Sequence, residues 1–177
     1  MSLNNAKMEL GQMRYVGVRF VNVTIPQGAN LIDAYVQFRA DDTNSENTDL
    51  TILGEDTDDA AGFGPSANDI SDRTQTTASV IWNNVSNWTA NQSYQTPSII
   101  SIIQEIVDRP SWSSGNALTL LFKSTDLNGK RLAVSHDGSS ANAPLLHVEY
   151  SEGSPGPAFR SLTTIVVDNE GYVGKIS

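Results

Sequence analysis

Cysteine is absent from the 177 residues, so the chain has no disulfide, no zinc thiolate and no cysteine nucleophile. No apolar run approaches the roughly 20 residues a membrane-spanning helix needs, and the opening residues lack the charged-then-apolar order of a signal peptide. Basic residues are few: 11 Lys and Arg against 20 Asp and Glu leave a net charge of −9. That balance opposes binding to nucleic-acid phosphates or to an anionic membrane, so neither partner is expected. The signatures of catalysis are missing as well, with no GxSxG elbow, HExxH pair or P-loop. His136 sits beside Asp137 in a turn dipeptide, and His147 falls on the outer face of a strand. Paired carboxylates of a glycosidase would be recognised only by their separation. A non-enzymatic role is expected.

What is present is β-prone. Apolar content is 38%, Thr, Ser, Asn, Gly and Asp are abundant, and segments of helical period are scarce, which favours an all-β domain with polar loops. The clearest stretch is RYVGVRFVNVTIPQGANLIDAYVQFRA, residues 14–40. In its second half Ile32, Ala34, Val36, Phe38 and Ala40 alternate with Asp33, Tyr35, Gln37 and Arg39, the period-two pattern of a strand with one buried face. In its first half Val16, Val18 and Phe20 share one parity, and Val21 and Val23 then take the other, so a bulge or strand end is expected near Val21. Pro26 and Gly28 supply the connection, either a hairpin or a crossing between sheets.

Further along, residues 7–10, 50–54, 76–82, 118–122, 131–135 and 145–150 read as strands, the fifth as a hairpin partner of the fourth. One helix is expected over residues 97–108, with Thr96 as N-cap, Pro97 at the first position, a repeat of Ile and Val at three and four, and Pro110 beyond its end. Eight or so strands with one crossover helix point to a two-sheet sandwich of jelly-roll type over residues 1–150. Residues 151–160 form a Gly/Pro/Ser linker, and residues 161–177 a β-hairpin tail too small to fold alone.

Two groups of residues are candidates for binding. Trp88 and Trp112 lie in polar loops with Tyr94 nearby, and an exposed ring offers a flat apolar face for stacking on a sugar; Trp82 ends a strand and belongs to the core. Eight of the 20 acids fall between residues 41 and 59, and carboxylates mixed with loop carbonyls suit calcium. Asp41, Asp42, Asp56 and Asp58 are the expected ligands of a structural calcium ion, alongside the simpler reading of a solvated acidic surface. The run Asp42-Thr43-Asn44-Ser45-Glu46 imitates an EF-hand loop, but Asn47 replaces its glycine and Leu53 its bidentate Glu.

The succession VGVRF, IPQGANLIDAYVQF, LTILGED, TASVIW, TPSIISIIQEIVDRPSW, SGNALTLLF and APLLHVEY resembles a β-sandwich accessory module of secreted, multidomain bacterial proteins, loosely grouped with carbohydrate-binding domains. The resemblance runs from about Met8 to Tyr150. It implies an extracellular setting and a non-catalytic role, binding carbohydrate or another surface polymer, and it carries over no catalytic residue. Residues 162–174 are similar to the neck of bacterial and phage fibre proteins, which implies a structural or adhesive subunit that self-associates through residues 161–177.

Overall fold

The computed structural model describes residues 5–66, 68–124, 127, 129–151, 163–167 and 169–175. Among these residues eleven strands form antiparallel sheets, accompanied by one α-helix. Strands β1 (Lys7–Gly11), β2 (Arg14–Phe20), β3 (Asn30–Arg39), β4 (Leu50–Glu55), β5 (Gln75–Trp82) and β6 (Ser93–Gln95) precede helix α1 (Ile100–Val107). Strands β7 (Leu118–Lys123), β8 (Lys130–Val134), β9 (Leu145–Ser151), β10 (Thr163–Val167) and β11 (Asn169–Lys175) follow it. One sheet has the order β10-β9-β3-β6 and another β11-β2-β7-β4-β5, while β1 and β8 pair by themselves.

The alternation in the sequence becomes a sandwich-like core. Ala34, Val36 and Phe38 of β3 and Leu146 and Val148 of β9 turn inward from one sheet, Val16, Val18 and Phe20 of β2 and Leu120 and Phe122 of β7 from the other. Phe38 meets Phe122 edge to face at 5.3 Å, so the two sheets touch directly. At about 25 cal/mol per Å² of apolar surface, a layer of this kind is the main source of stability. Strand β2 ends at Phe20 and the chain crosses to the other sheet; Val23 and Ile25 fill the crossing, and Gly28 turns it at a φ of 68°.

Several expectations are corrected. Ile32 does not join the core face of β3: the ladder shifts between Leu31 and Asp33, which buries Leu31 and leaves Ile32 exposed. Strand β8 pairs with β1 rather than with β7, Met8 standing opposite Ala133. The helix starts at Ile100, later than the 97–108 span, because the Thr96 hydroxyl accepts from the amide of Val36 at 3.1 Å and holds residue 96 to β3. Its end before Asp108 agrees with the proline rule.

The tail is not a hairpin. Strand β10 pairs with β9, Thr163 opposite Tyr150, and β11 pairs with β2, Asn169 opposite Phe20. Each strand is paired along one edge, as it would be in a hairpin, but the split also covers the edges that β9 and β2 would otherwise leave open. The linker expected over 151–160 lies, from 152 onward, outside the described residues.

The long connection between β4 and β5 is folded back on the five-stranded sheet. Phe63, Ile70 and Leu121 form a second small core, and Arg73 spans Phe63 at 4.4 Å while reaching Glu55 at 2.6 Å and Asp69 at 3.2 Å. Gly17 of β2 makes room for this cover, since a Cβ there would come within 2.5 Å of the Phe63 ring. The outer face of the four-stranded sheet carries no such cover among the described residues.

Candidate functional site

On β3 the residues that alternate with the core set are Tyr35, Gln37 and Arg39, and on β9 they are Leu145, His147 and Glu149. The inward neighbours of these residues are fully buried, which fixes their own side chains on the outer face of the four-stranded sheet. Register then sets which of them meet: Tyr35 stands opposite His147 and Gln37 opposite Leu145. The Tyr35 and His147 rings stack at 4.5 Å with 15° between their planes. Cross-strand pairs of this kind contribute about 0.2–1 kcal/mol and hold both rings in one orientation.

Beside the rings is a depression of about 100 Å³ lined by Tyr35, Gln37, Leu145 and His147. A second of about 90 Å³ continues it past Gln37 and Leu145 to Arg39, Ser93 and Asn142. The two share residues and make one shallow groove. It offers ring surface and the Leu145 side chain at one end, and amide, hydroxyl and guanidinium groups at the other. The Nε2 atom of His147 lies 3.3 Å from Glu149, so the imidazole is tied to its own strand as well as to Tyr35.

A wider cleft of about 380 Å³ lies between residues 45–47 and 84–87. Its walls are Asn and Ser side chains with Glu46, and Arg131 lies beneath them. That guanidinium is buried and gives its hydrogen bonds to the carbonyls of Ser86, Glu46, Lys130 and Val85 and to the Thr48 hydroxyl, at 2.6–2.9 Å. Burial lowers its pKa, with the Glu46 charge opposing that shift. Arg131 is thus a tie between two loops, and the cleft above it presents no ring.

The residues singled out in the sequence lie elsewhere. Trp88 is 1% exposed and stacks on Tyr94 at 5.1 Å and 8°, with Phe38 on another side at 6.0 Å. Trp112 is 2% exposed and donates its indole N–H to the carbonyl of Ile25 at 2.9 Å. The expected exposure of these two tryptophans is therefore corrected: each seals the core beneath a polar loop, and neither face is open for stacking. Tyr94 is half-buried, and its hydroxyl accepts from the amide of Thr89 at 2.8 Å. Trp88 and Tyr94 do come together, but as packing.

The carboxylates are also engaged. Asp41 pairs with Lys7 at 2.5 Å, and Asp42 accepts from the amide of Thr43 at 2.8 Å. Arg109 grips Asp56 and Asp58 together, the latter at 2.7 Å, and both raise its pKa, chiefly through the hydrogen bond to Asp58. Among the described residues no three His, Asp or Glu side chains converge as a metal-binding group.

Tyr35, Gln37, Arg39 and His147 are not among the binding residues expected from the sequence, although the alternation places Tyr35, Gln37 and Arg39 on a wet face and His147 on an outer one. The usable signal was a tyrosine and an arginine four residues apart on that face. What was lacking was the register that brings His147 to Tyr35. No protein-family model matches this chain, and comparison with curated proteins and with solved structures finds no match.

Proposed function

We propose that this chain is a non-catalytic accessory module that binds carbohydrate or another surface polymer along the outer face of its four-stranded sheet. The observation that carries the reading is the stacked Tyr35–His147 pair set at one end of an open groove whose other end is polar. A sugar ring has one apolar face and a rim of hydroxyls, so it needs an apolar platform beside donors and acceptors, and the groove supplies both. The wider cleft above Arg131 supplies only the second. An extracellular setting and a jelly-roll path of the strands belong to the same reading. Structural calcium would have to displace Lys7 from Asp41 and Arg109 from Asp56 and Asp58, and the reading does without it.

The test is retention of the protein in native gels cast with different polysaccharides, comparing wild type with Tyr35→Ala and with a distant surface variant, Ser79→Ala. Tyr35 is half-buried and its partner is a surface ring, so its loss should weaken retention by about fivefold or more while lowering stability by only about 1 kcal/mol. Equal retention of the two variants would refute the groove.

A second reading, a structural or adhesive unit of a fibre or matrix, is favoured by the way β10 and β11 complete two different sheets. Strands at two sheet edges can be exchanged between copies with all pairings kept, which would make residues 161–177 an assembly element. Light scattering over a range of concentrations tests it, and a strict monomer throughout would exclude it.

A further inference from the structure

We infer that the polymer bound in this groove is anionic, a polysaccharide carrying carboxylate or sulfate groups, and that Arg39 is the residue that selects it. The inference rests on the polymer-binding reading and adds the charge of the ligand. Lys7, Arg14, Arg73, Arg109 and Lys130 are held by carboxylates, and Lys123 lies over the Tyr15 ring. Arg19 donates to the carbonyl of Ala60, and Arg131 is saturated by carbonyls and a hydroxyl.

Arg39 differs. Among the described residues its side chain makes no hydrogen bond and no ion pair, yet it is half-buried and lines the polar end of the groove with Gln37, Ser93 and Asn142. In a chain of net charge −9, with carboxylates in excess, a guanidinium kept clear of every carboxylate among the described residues is unusual. Its five N–H groups form a rigid fork that fits a carboxylate or sulfate with two parallel hydrogen bonds. Water can satisfy such a group, but an anionic oxygen pair does so with a charge-assisted bond in a partly desolvated place.

Geometry sets the size of the ligand. Tyr35 and Arg39 are four residues apart on one strand, about 13 Å at strand rise. A single sugar ring does not reach both, so a ligand that uses the platform and the guanidinium is a chain of several rings. Charge sets its orientation. Asp33 stands opposite Glu149 at the other end of the face, and Glu149 lies beside His147, so an acidic substituent is favoured at the Arg39 end and disfavoured beyond the rings. The net charge of −9 repels a polyanion at long range, so retention by an acidic polymer requires a local site and is not a general ionic effect.

The experiment is affinity electrophoresis in gels containing a polyuronate, a sulfated galactan or a neutral glucan, with mobilities referred to polymer-free gels to remove the change in charge of each variant. Wild type should be retarded by the polyuronate or the sulfated galactan more than by the glucan, and which of the two acts identifies the anionic group. Arg39→Gln should weaken that retention about tenfold or more, as loss of a charge-assisted bond requires, and Arg39→Lys should restore only part of it. Because the Arg39 side chain has no partner among the described residues, both variants should melt with wild type. If Arg39→Gln is retarded by the acidic polymers as strongly as wild type, or if the glucan retards wild type best, the anionic assignment is wrong. Loss of glucan retention in Tyr35→Ala would then show that the groove itself still binds. Retardation by none of the three polymers would overturn both readings.

Discussion

A tryptophan in a polar stretch of sequence has two fates, and neighbouring residues decide between them. Trp88 follows Asn83, Asn84, Ser86 and Asn87, yet its amide and carbonyl both pair with Asn44, which draws the loop down over the core and carries the ring under it. Trp112 is placed by the stop after α1, and its N–H finds the carbonyl of Ile25 on the crossing between sheets. Both indoles therefore act on folding. Trp88→Ala and Trp112→Ala should each lower stability by about 3–5 kcal/mol, the usual range for emptying a buried aromatic site, with urea midpoints falling accordingly. A variant that keeps the wild-type midpoint would mean that its ring lies outside the core. Which of these fates applied was not legible from composition, because it depends on a bridge between residues 44 and 88 that no local pattern announces. Tyr35 and Arg39 show the converse: their exposure could be read from period two, but their partner could not.

At the scale of elements, strands that alternate strictly were legible and their neighbours were not. Strand β3 was readable because every second residue from Ala34 to Phe38 is fully buried, and β9 because Leu146, Val148 and Tyr150 repeat the pattern. Pairing is a property of two segments at once, so proximity in sequence misassigned β8 to β7 when β1, far earlier in the chain, holds it. The helix illustrates how one element fixes others. Glu105 accepts from the amides of Thr77 and Ala78, both at 2.7 Å, and so covers two donors on the edge of β5. Gln104 takes the amide of Leu31 and returns a hydrogen bond to the carbonyl of Ala29. These contacts require close approach, and Gly54 on β4 permits it: a Cβ there would lie 2.8 Å from Ile106 and 2.9 Å from Ile102. Gly54→Ala should therefore push α1 outward and lower stability by about 1–3 kcal/mol, as overpacking does. Gly62→Ala, where no atom lies within 4 Å of the added Cβ, is the control. A melt of Gly54→Ala that matches the control would mean that the helix is not seated against β4.

For the whole molecule the decisive feature is where β10 and β11 lie. Strand β10 lies along β9 through five residue pairs and β11 along β2 through seven, so the last described residues close one side of both sheets. The change of composition at residues 151–160 says nothing of where the strands beyond it pair, because sheet edges recruit strands by backbone hydrogen bonding, to which composition is nearly blind. Without the tail, β9 and β2 would each present a row of unpaired amides and carbonyls, a template for another chain. Ending the chain after Ser151 should thus do two things. Stability should fall by a few kcal/mol, or about 5–10 °C in melting temperature for a protein of this size, at a few tenths of a kcal/mol per lost pair. The truncated protein should also associate more than the full chain, seen as added mass in light scattering, and a synthetic peptide of residues 161–177 should reverse both changes by refilling the edges. A truncated chain with an unchanged melting temperature and mass would show that these strands contribute nothing to the fold. If the full chain is a dimer and truncation yields a stable monomer, the strands act between copies, and the structural reading of the molecule gains over the binding one.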